Sequence, residues 1–367
     1  MDPRVQKLAE VLVGYSLDLQ PGDTLAVKTN PFADELNLAV YQEALMAGAH
    51  PYFLYQVPGM WEVLLKHASD AQLEYISEID RVVVEGYRAI LHIEAEYNTR
   101  ELTGTDPARL SRRQKARSGV FKIQTDRMGS GELHWCYTVY PTQSSAQEAD
   151  LGFLEYQDFV FKAGKLDLAD PVGAWKVEDQ HLQRVVSHLD GTRAVKIQGK
   201  DVDLSLSLED RTFEPCSGKL NFPDGEIYTS PVEESVEGWV RFAYPAIYGG
   251  REVVDVELWF EDGKIVKEKA SKGAEFLTPI LNTDQGSRYL GELGIGTNYD
   301  IPRFTKNILF DEKLGGTIHL AVGLGFPALG GKNTSGVHWD MLCDMSDGEM
   351  TFDDALVYRG GKFIIGD

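Results

Sequence analysis

The chain has 367 residues, 57 of them Asp or Glu against 36 Lys or Arg, for a formal net charge of -21 at pH 7. So acidic a protein excludes nucleic acid as an expected partner, because phosphate neutralisation needs clustered Lys and Arg, and it suits neutral or cationic substrates. An apolar content of 43% is enough for a sizeable core, the length fits two ordinary domains, and no apolar run is long enough to span a bilayer.

Taken in chain order, the first half alternates helix and strand patterns. Val5, Leu8, Ala9 and Leu12 recur at helical spacing. This opening stretch lacks a basic start and a small-residue cleavage site, so it reads as an amphipathic helix and not a secretion signal. Pro21, Gly22 and Asp23 make a turn, and residues 24–28 a short strand. Pro31 opens a helix running to about Ala47, with Gly48 as its stop. Residues 51–55 form a second strand, a helical pair follows, and residues 81–85 and 89–93 read as further strands. Strands separated by helices imply parallel pairing in an α/β layer. No Gly-rich dinucleotide fingerprint follows the first strand, so no nucleotide cofactor is expected. The one basic cluster, Arg112, Arg113, Lys115 and Arg117, reads as the solvated face of a helix.

Residues 151–189 look helical, with a break at Pro171. After them the pattern changes. Val202, Leu204, Leu206 and Leu208 alternate with polar residues, as on a half-buried strand. Residues 253–260 form another strand, Asp262 and Gly263 a tight turn, and Ile265 starts the return strand. Residues 358–363 form a similar hairpin. The expected architecture is therefore an α/β domain over residues 1–185, followed by a β-rich α+β domain over residues 186–367. Cys136, Cys216 and Cys343 are odd in number and far apart, so no disulfide framework follows and a cytoplasmic setting is expected.

Ligand-type residues gather in the second domain. His338 and Asp340 bracket Trp339 in SGVHWDML, and residues i and i+2 of a strand share a face, so both side chains reach one ion. His319 lies in a short apolar strand bracketed by glycines, where a histidine is either a satisfied core residue or a ligand. Glu226 follows a Pro-Asp-Gly turn and Glu292 sits among glycines that allow close backbone approach. Either glutamate alone reads as an ordinary surface acid. Together, two histidines and three carboxylates would hold two divalent ions. Mixed N/O ligation suits Zn²⁺, Co²⁺ or Mn²⁺. Two such ions about 3.5–4 Å apart share a water, lower its pKa and polarise a carbonyl, which is the apparatus of amide hydrolysis. His50, His67, His92, His134, His181 and His188 lack metal spacing and read as surface or packing residues.

Ordered blocks then carry a resemblance across nearly the whole chain: NFPDGEIYTSPVEESVEG, LNTDQGSRYLGELGIGTN, LFDEKLGGTIHLAVGLGFP and KNTSGVHWDMLCD, with LHWCYTVYPTQSSAQEAD in the first half. The sequence resembles the aminopeptidase T and aminopeptidase S family of two-metal peptidases. That resemblance implies that Glu226, Glu292, His319, His338 and Asp340 are the metal ligands, with Glu292 the first choice for the bridging carboxylate. It further implies a homodimer whose site admits short peptides with a free N-terminus. One position departs: seven residues after His319, where the family usually carries a tyrosine, this chain has Phe326. A phenol there donates a hydrogen bond to an oxyanion and a phenyl ring does not. Loss of one such donor typically costs about 10²–10³ in turnover. Tyr299 and Arg288 are the alternative donors.

The expected function is a metal-dependent aminopeptidase, with Glu292 or Glu226 shuttling the proton to the leaving amine. Phe326 motivates an alternative of another class, a metal-stabilised binding protein with weak or lost hydrolysis. A third reading, hydrolysis of a small non-peptide amide, uses the same site.

Overall fold

The computed structural model describes residues 2–365. The chain divides into two compact units, one running up to Ala174 and including Gly218–Pro223, the other comprising Trp175–Ser217 and the residues from Asp224 onward. The residue 185 boundary of the sequence reading lies within the helix Pro171–Leu189.

In the first unit the alternating elements build a five-stranded parallel sheet, ordered His50–Tyr55, Thr24–Thr29, Ala89–Glu94, His134–Val139 and Asn221–Phe222. Leu25, Ala26 and Val27 of the interior strand are fully buried, as expected where helices cover both faces. The first helix, Pro3–Val11, is capped by Asp2 and buries Val5, Leu8 and Ala9. Residues 81–85 depart from the expected strand. They lie in the helix Glu78–Gly86, where the Ser77 hydroxyl accepts from the Ile79 amide and Arg81 sits 4.0 Å from Glu85 one turn on. The Val82–Val84 run has strand-like composition, but the cap and the packing of Val83 and Val84 with Val120 decide for helix. The basic cluster lies on the helix Pro107–Gly129 and is engaged within the chain: Arg112 pairs with Glu74 at 2.8 Å and Arg117 with Asp80 at 3.6 Å.

The second unit is β-rich. An eight-stranded antiparallel sheet runs in the order Lys264–Lys269, Val256–Glu261, Glu237–Phe242, Val202–Ser207, Ala194–Gly199, Glu349–Phe352, Ala355–Arg359 and Lys362–Phe363. Three of its tight hairpins turn at Asp262 and Gly263, at Asp353 and Asp354 and at Gly360 and Gly361, all with positive φ, as type I′ turns require. The expected strand over 253–260 is interrupted by Asp255, also at positive φ. A second, five-stranded antiparallel sheet is ordered His338–Asp344, Thr317–Gly323, Leu290–Gly296, Glu226–Thr229 and Glu214–Cys216. Buried residues from both sheets, with Leu182, Val185, Val186 and Leu189 of the helix Pro171–Leu189, form one core. Among the described residues no helix is long and apolar enough to cross a membrane.

Candidate metal centre

The five-stranded sheet has two chemically distinct faces. Ile227, Leu293, Ile295, Ile318, Leu320, Val322, Trp339 and Met341 point into the core. The residues between them point the other way, as the pleat demands. The register then sets their neighbours. Gly294 lies opposite His319 on one side and Tyr228 on the other. Gly296 lies opposite Glu226, Ala321 lies between Glu292 and Asp340, and Gly323 lies opposite His338. Small residues thus alternate with functional ones. The vacancy at residue 294 is required: a Cβ there would fall 2.0 Å from Nε2 of His319.

All five residues singled out in the sequence are brought together on this face. Nε2 of His338 lies 3.1 Å from Glu292 and 3.5 Å from Asp340. Nε2 of His319 lies 3.4 Å from both Glu226 and Glu292. Nδ1 of His338 donates to the Leu324 carbonyl at 2.9 Å, which leaves Nε2 as the atom facing the carboxylates. His319, Glu226 and Glu292 are buried, and His338 is partly exposed at the rim.

Electrostatics follow from that burial. Burial pulls both imidazoles down, but the Glu292 carboxylate and its acidic neighbours outweigh it. They hold His319 up at about 10 and His338 at about 9. Burial pushes Glu292 up, and hydrogen bonds from the two histidines overcome it, bringing the carboxyl down to about 2. Burial lifts Glu226 to about 8 against the pull of the Lys313 ammonium. Burial and the Glu292 charge raise Asp340 to about 6.

Three further residues belong to the site and carried no sequence signal. Lys313 is completely buried, with Nζ 3.2 Å from Glu226 and 3.8 Å from Asp224, and it also bonds Glu312. A lysine in DEKLGG reads as a solvated turn residue, and only the fold reveals its burial. Tyr228 stands two residues from Glu226 on the same face, with its ring centroid 4.8 Å from that of Phe326. Asp284 gathers the two loops that lead into the ligand strands. Its carboxylate accepts from the amides of Gly286 and Ser287, the Ser335 hydroxyl and the Gly336 amide, at 2.8–3.0 Å.

Phe326 itself packs edge-on against His338, with ring centroids 5.5 Å apart. The two alternative donors weighed in the sequence are committed elsewhere. Tyr299 donates to the Gly361 carbonyl at 2.9 Å, and Arg288 pairs with Glu268 at 3.0 Å.

The donor set fits a divalent ion. Glu292, His338 and Asp340 each offer a ligand atom within 4.8 Å of the others. Oδ1 of Asp340 is buried and has no hydrogen-bond partner among the described residues, a costly state that a cation relieves. One imidazole nitrogen with two carboxylates is a ligand set that first-row divalent ions accept.

Comparisons with known proteins identify the family and the fold. Residues 1–363 match the family model described as Thermophilic metalloprotease (M29). The chain is 32% identical to Aminopeptidase AmpS of Bacillus subtilis, over 64% of this chain and 62% of that protein. It is 27% identical to Aminopeptidase 2 of Geobacillus stearothermophilus, over 89% of this chain and 84% of that one. It is 26% identical to Aminopeptidase T of Thermus thermophilus, over 88% and 85%. The solved structure of wild-type AmpT from Thermus thermophilus shares the fold, with a TM-score of 0.87 over 99% of both chains at 24% identity. The chain belongs to the thermophilic metalloprotease (M29) family.

Proposed function

We propose that this chain is a metal-dependent aminopeptidase, acting on short peptides with a free N-terminus. The observation that carries the reading is the convergence of Glu226, Glu292, His319, His338 and Asp340 on one sheet face of a metalloprotease-family chain. The relatives named above are aminopeptidases by name, which supports peptides as substrates and gives the alternative of a binding protein without hydrolysis no support.

Glu292, His338 and Asp340 are the residues proposed to hold an ion. His319 and Glu226 extend the set toward a second position, and Zn²⁺, Co²⁺ or Mn²⁺ suits these donors. A divalent ion bound there supplies Lewis acidity toward a scissile carbonyl and lowers the pKa of a coordinated water. The remaining work belongs to the side chains. Glu292, kept ionised by its two imidazole neighbours, is the acceptor around which the ligand set is organised. Glu226, lifted to about 8 by burial, is suited to take a proton near neutral pH and return it to the leaving amine. The neighbouring acids favour a substrate's α-ammonium group. The Tyr228 phenol, kept neutral by burial and packed against Phe326, is the proposed donor to a developing oxyanion, since Phe326 stands where the family that the chain resembles usually carries a tyrosine.

A homodimer in the cytoplasm is part of this proposal. The dimer rests on the family resemblance. The compartment rests on three widely spaced cysteines, all buried. Comparing turnover of amino-acid p-nitroanilides with that of their N-acetylated forms tests the reading. Cleavage that requires both a free amine and added metal supports it, and equal cleavage of both forms contradicts it. Turnover confined to non-peptide amides would favour the third reading of the sequence.

A further inference from the structure

The first unit holds a cavity of its own, of about 940 Å³, within the range of pockets that take small molecules. Its place in the sheet is where open α/β sheets hold ligands. From Thr24–Thr29 the chain steps to His50–Tyr55 on one side and then crosses to Ala89–Glu94 on the other, so the strand order reverses between Thr24–Thr29 and Ala89–Glu94. Ligands of such sheets bind beyond the carboxyl ends of the strands at that reversal. Here those ends bring Lys28, Asn30, Glu94 and Glu96 to the cavity wall. Lys28 lies opposite His92, and Glu94 follows two residues later on the same face. The helices Glu78–Gly86 and Pro107–Gly129 add Asp80 and, from the basic cluster, Arg117.

The charge in the cavity is split. At one end Lys28 and Arg117 face a single carboxylate, Asp80, which Arg117 holds at 3.6 Å. Among the described residues no carboxylate lies within ion-pair distance of Lys28, so one positive charge is left over. At the other end Glu94 accepts from the Tyr137 hydroxyl, and among the described residues neither Glu94 nor Glu96 has a Lys or Arg within ion-pair distance. Burial pulls the Lys28 ammonium down, and burial together with Glu94 pushes Glu96 up to about 7. His92, brought down to about 4 by burial and by Lys28, stays neutral. Tyr55, Trp61, Tyr97 and Trp135 give the wall its aromatic surface.

We propose that this cavity is a second binding site, for a small zwitterion of the amino-acid type. Its carboxylate lies against Lys28, its ammonium against Glu94 and Glu96, and its side chain along the aromatic wall. Lys28 and Glu94 stand one strand and two residues apart, roughly 5 Å across the sheet and 7 Å along it, a span that one small molecule bridges. Each end of the ligand supplies the charge that the cavity lacks there. Free amino acids and short peptides share this chemistry. Every residue used lies in the first unit, so the proposal is independent of the metal-dependent reading.

The test is isothermal titration of the full-length, metal-stripped protein with L-phenylalanine, L-phenylalaninamide and N-acetyl-L-phenylalanine, and with the same three forms of Phe-Gly-Gly. The expected result is saturable binding of one free form or both, which tells amino acid from peptide. Blocking either terminus should weaken it about 10–100-fold, the cost of one charge-assisted hydrogen bond. Lys28→Met should weaken the free ligand as much as amidation does, and the amidated ligand no further. The Glu94→Gln/Glu96→Gln double variant should do the same for acetylation. His338→Ala should bind as the wild type does. No saturable binding of either free ligand overturns the proposal, as does unchanged affinity in either cavity variant. Binding lost in His338→Ala also overturns it, because the ligand would then sit at the metal centre. Should a cavity variant fail to fold, the wild type decides: equal affinity for free and blocked ligands overturns the proposal. Turnover is read in no arm, so a failed peptidase reading is a separate result.

Discussion

Nε2 of His338 lies 3.1 Å from Glu292, while Nδ1 of the same ring donates to the Leu324 carbonyl. The backbone therefore sets the tautomer, and the nitrogen left facing the carboxylates is the one a metal needs. His338→Ala removes both a ligand and this anchoring. The expected outcome is loss of bound metal and of peptidase turnover, with far-ultraviolet circular dichroism unchanged, because His338 is a rim residue and not part of the core. A His338→Ala protein that kept its metal and full activity would remove the candidate site from consideration.

The metal-free chain should lose stability as pH rises from 7 to 10. His319 and His338 are held up at about 10 and 9, above the ordinary 6.5 of an unfolded histidine. Their contribution is fully present below pH 6.5 and is lost as pH rises through those values. Glu226, raised to about 8, adds to the loss up to about pH 8, whereas Asp340, raised to about 6, has its effect below pH 7 and is constant across this window. Glu292, lowered to about 2, contributes a constant amount across this window. Metal uptake must displace the imidazole protons, so apparent ion affinity should rise with pH, by about tenfold per unit for each proton released. Thermal melts across the pH series, with and without metal, check the sign. A metal-free melting temperature that climbs between pH 7 and 10 contradicts the charge arrangement.

Much of the β-rich half was legible because its local signals agree. The alternation at Val202, Leu204 and Leu206 and the Asp262–Gly263 turn each allow one local structure. The five candidate ligands were recognisable as residue types, yet their convergence was not derivable from spacing. Glu226 and His319 are 93 positions apart in number and meet only through the register that sets both against the 290–296 strand. Lys313 and Asp284 were missed for a related reason. Both look like polar loop residues, and their roles come from burial and from backbone amides that the fold delivers to them. The strand expected over 81–85 is helix instead because the Ser77 cap and the packing of Val83 and Val84 override the strand-like composition of Val82–Val84.

Asp284 offers a test of positioning without touching a ligand. Its carboxylate accepts from the loop before Glu292 and from Ser335 and Gly336 in the loop before His338, joining the two. Asp284→Ala should weaken ion affinity by about 10–100-fold, as loss of groups that orient metal ligands does. It should leave overall helix and strand content unaltered. Isothermal titration with Zn²⁺ measures it, and unchanged affinity rules out the clamp.

The aromatic corner at Tyr228 and Phe326 sets the expected rate. Phe326→Tyr should raise turnover, by up to about 10²–10³ if the new phenol reaches the oxyanion, with metal content unchanged. Tyr228→Phe should lower turnover while leaving ion binding intact. Steady-state kinetics on one p-nitroanilide substrate separate the two. A Tyr228→Phe enzyme with wild-type turnover removes that tyrosine from the chemistry.

The most direct measurement of the central claim is turnover of a free-amine p-nitroanilide by the metal-stripped protein, before and after one divalent metal is restored. A metal-dependent aminopeptidase gives no turnover before and recovery after, with the N-acetylated substrate uncut in both cases. Full turnover by the stripped protein, or restored cleavage of the N-acetylated substrate at the same rate, would contradict it.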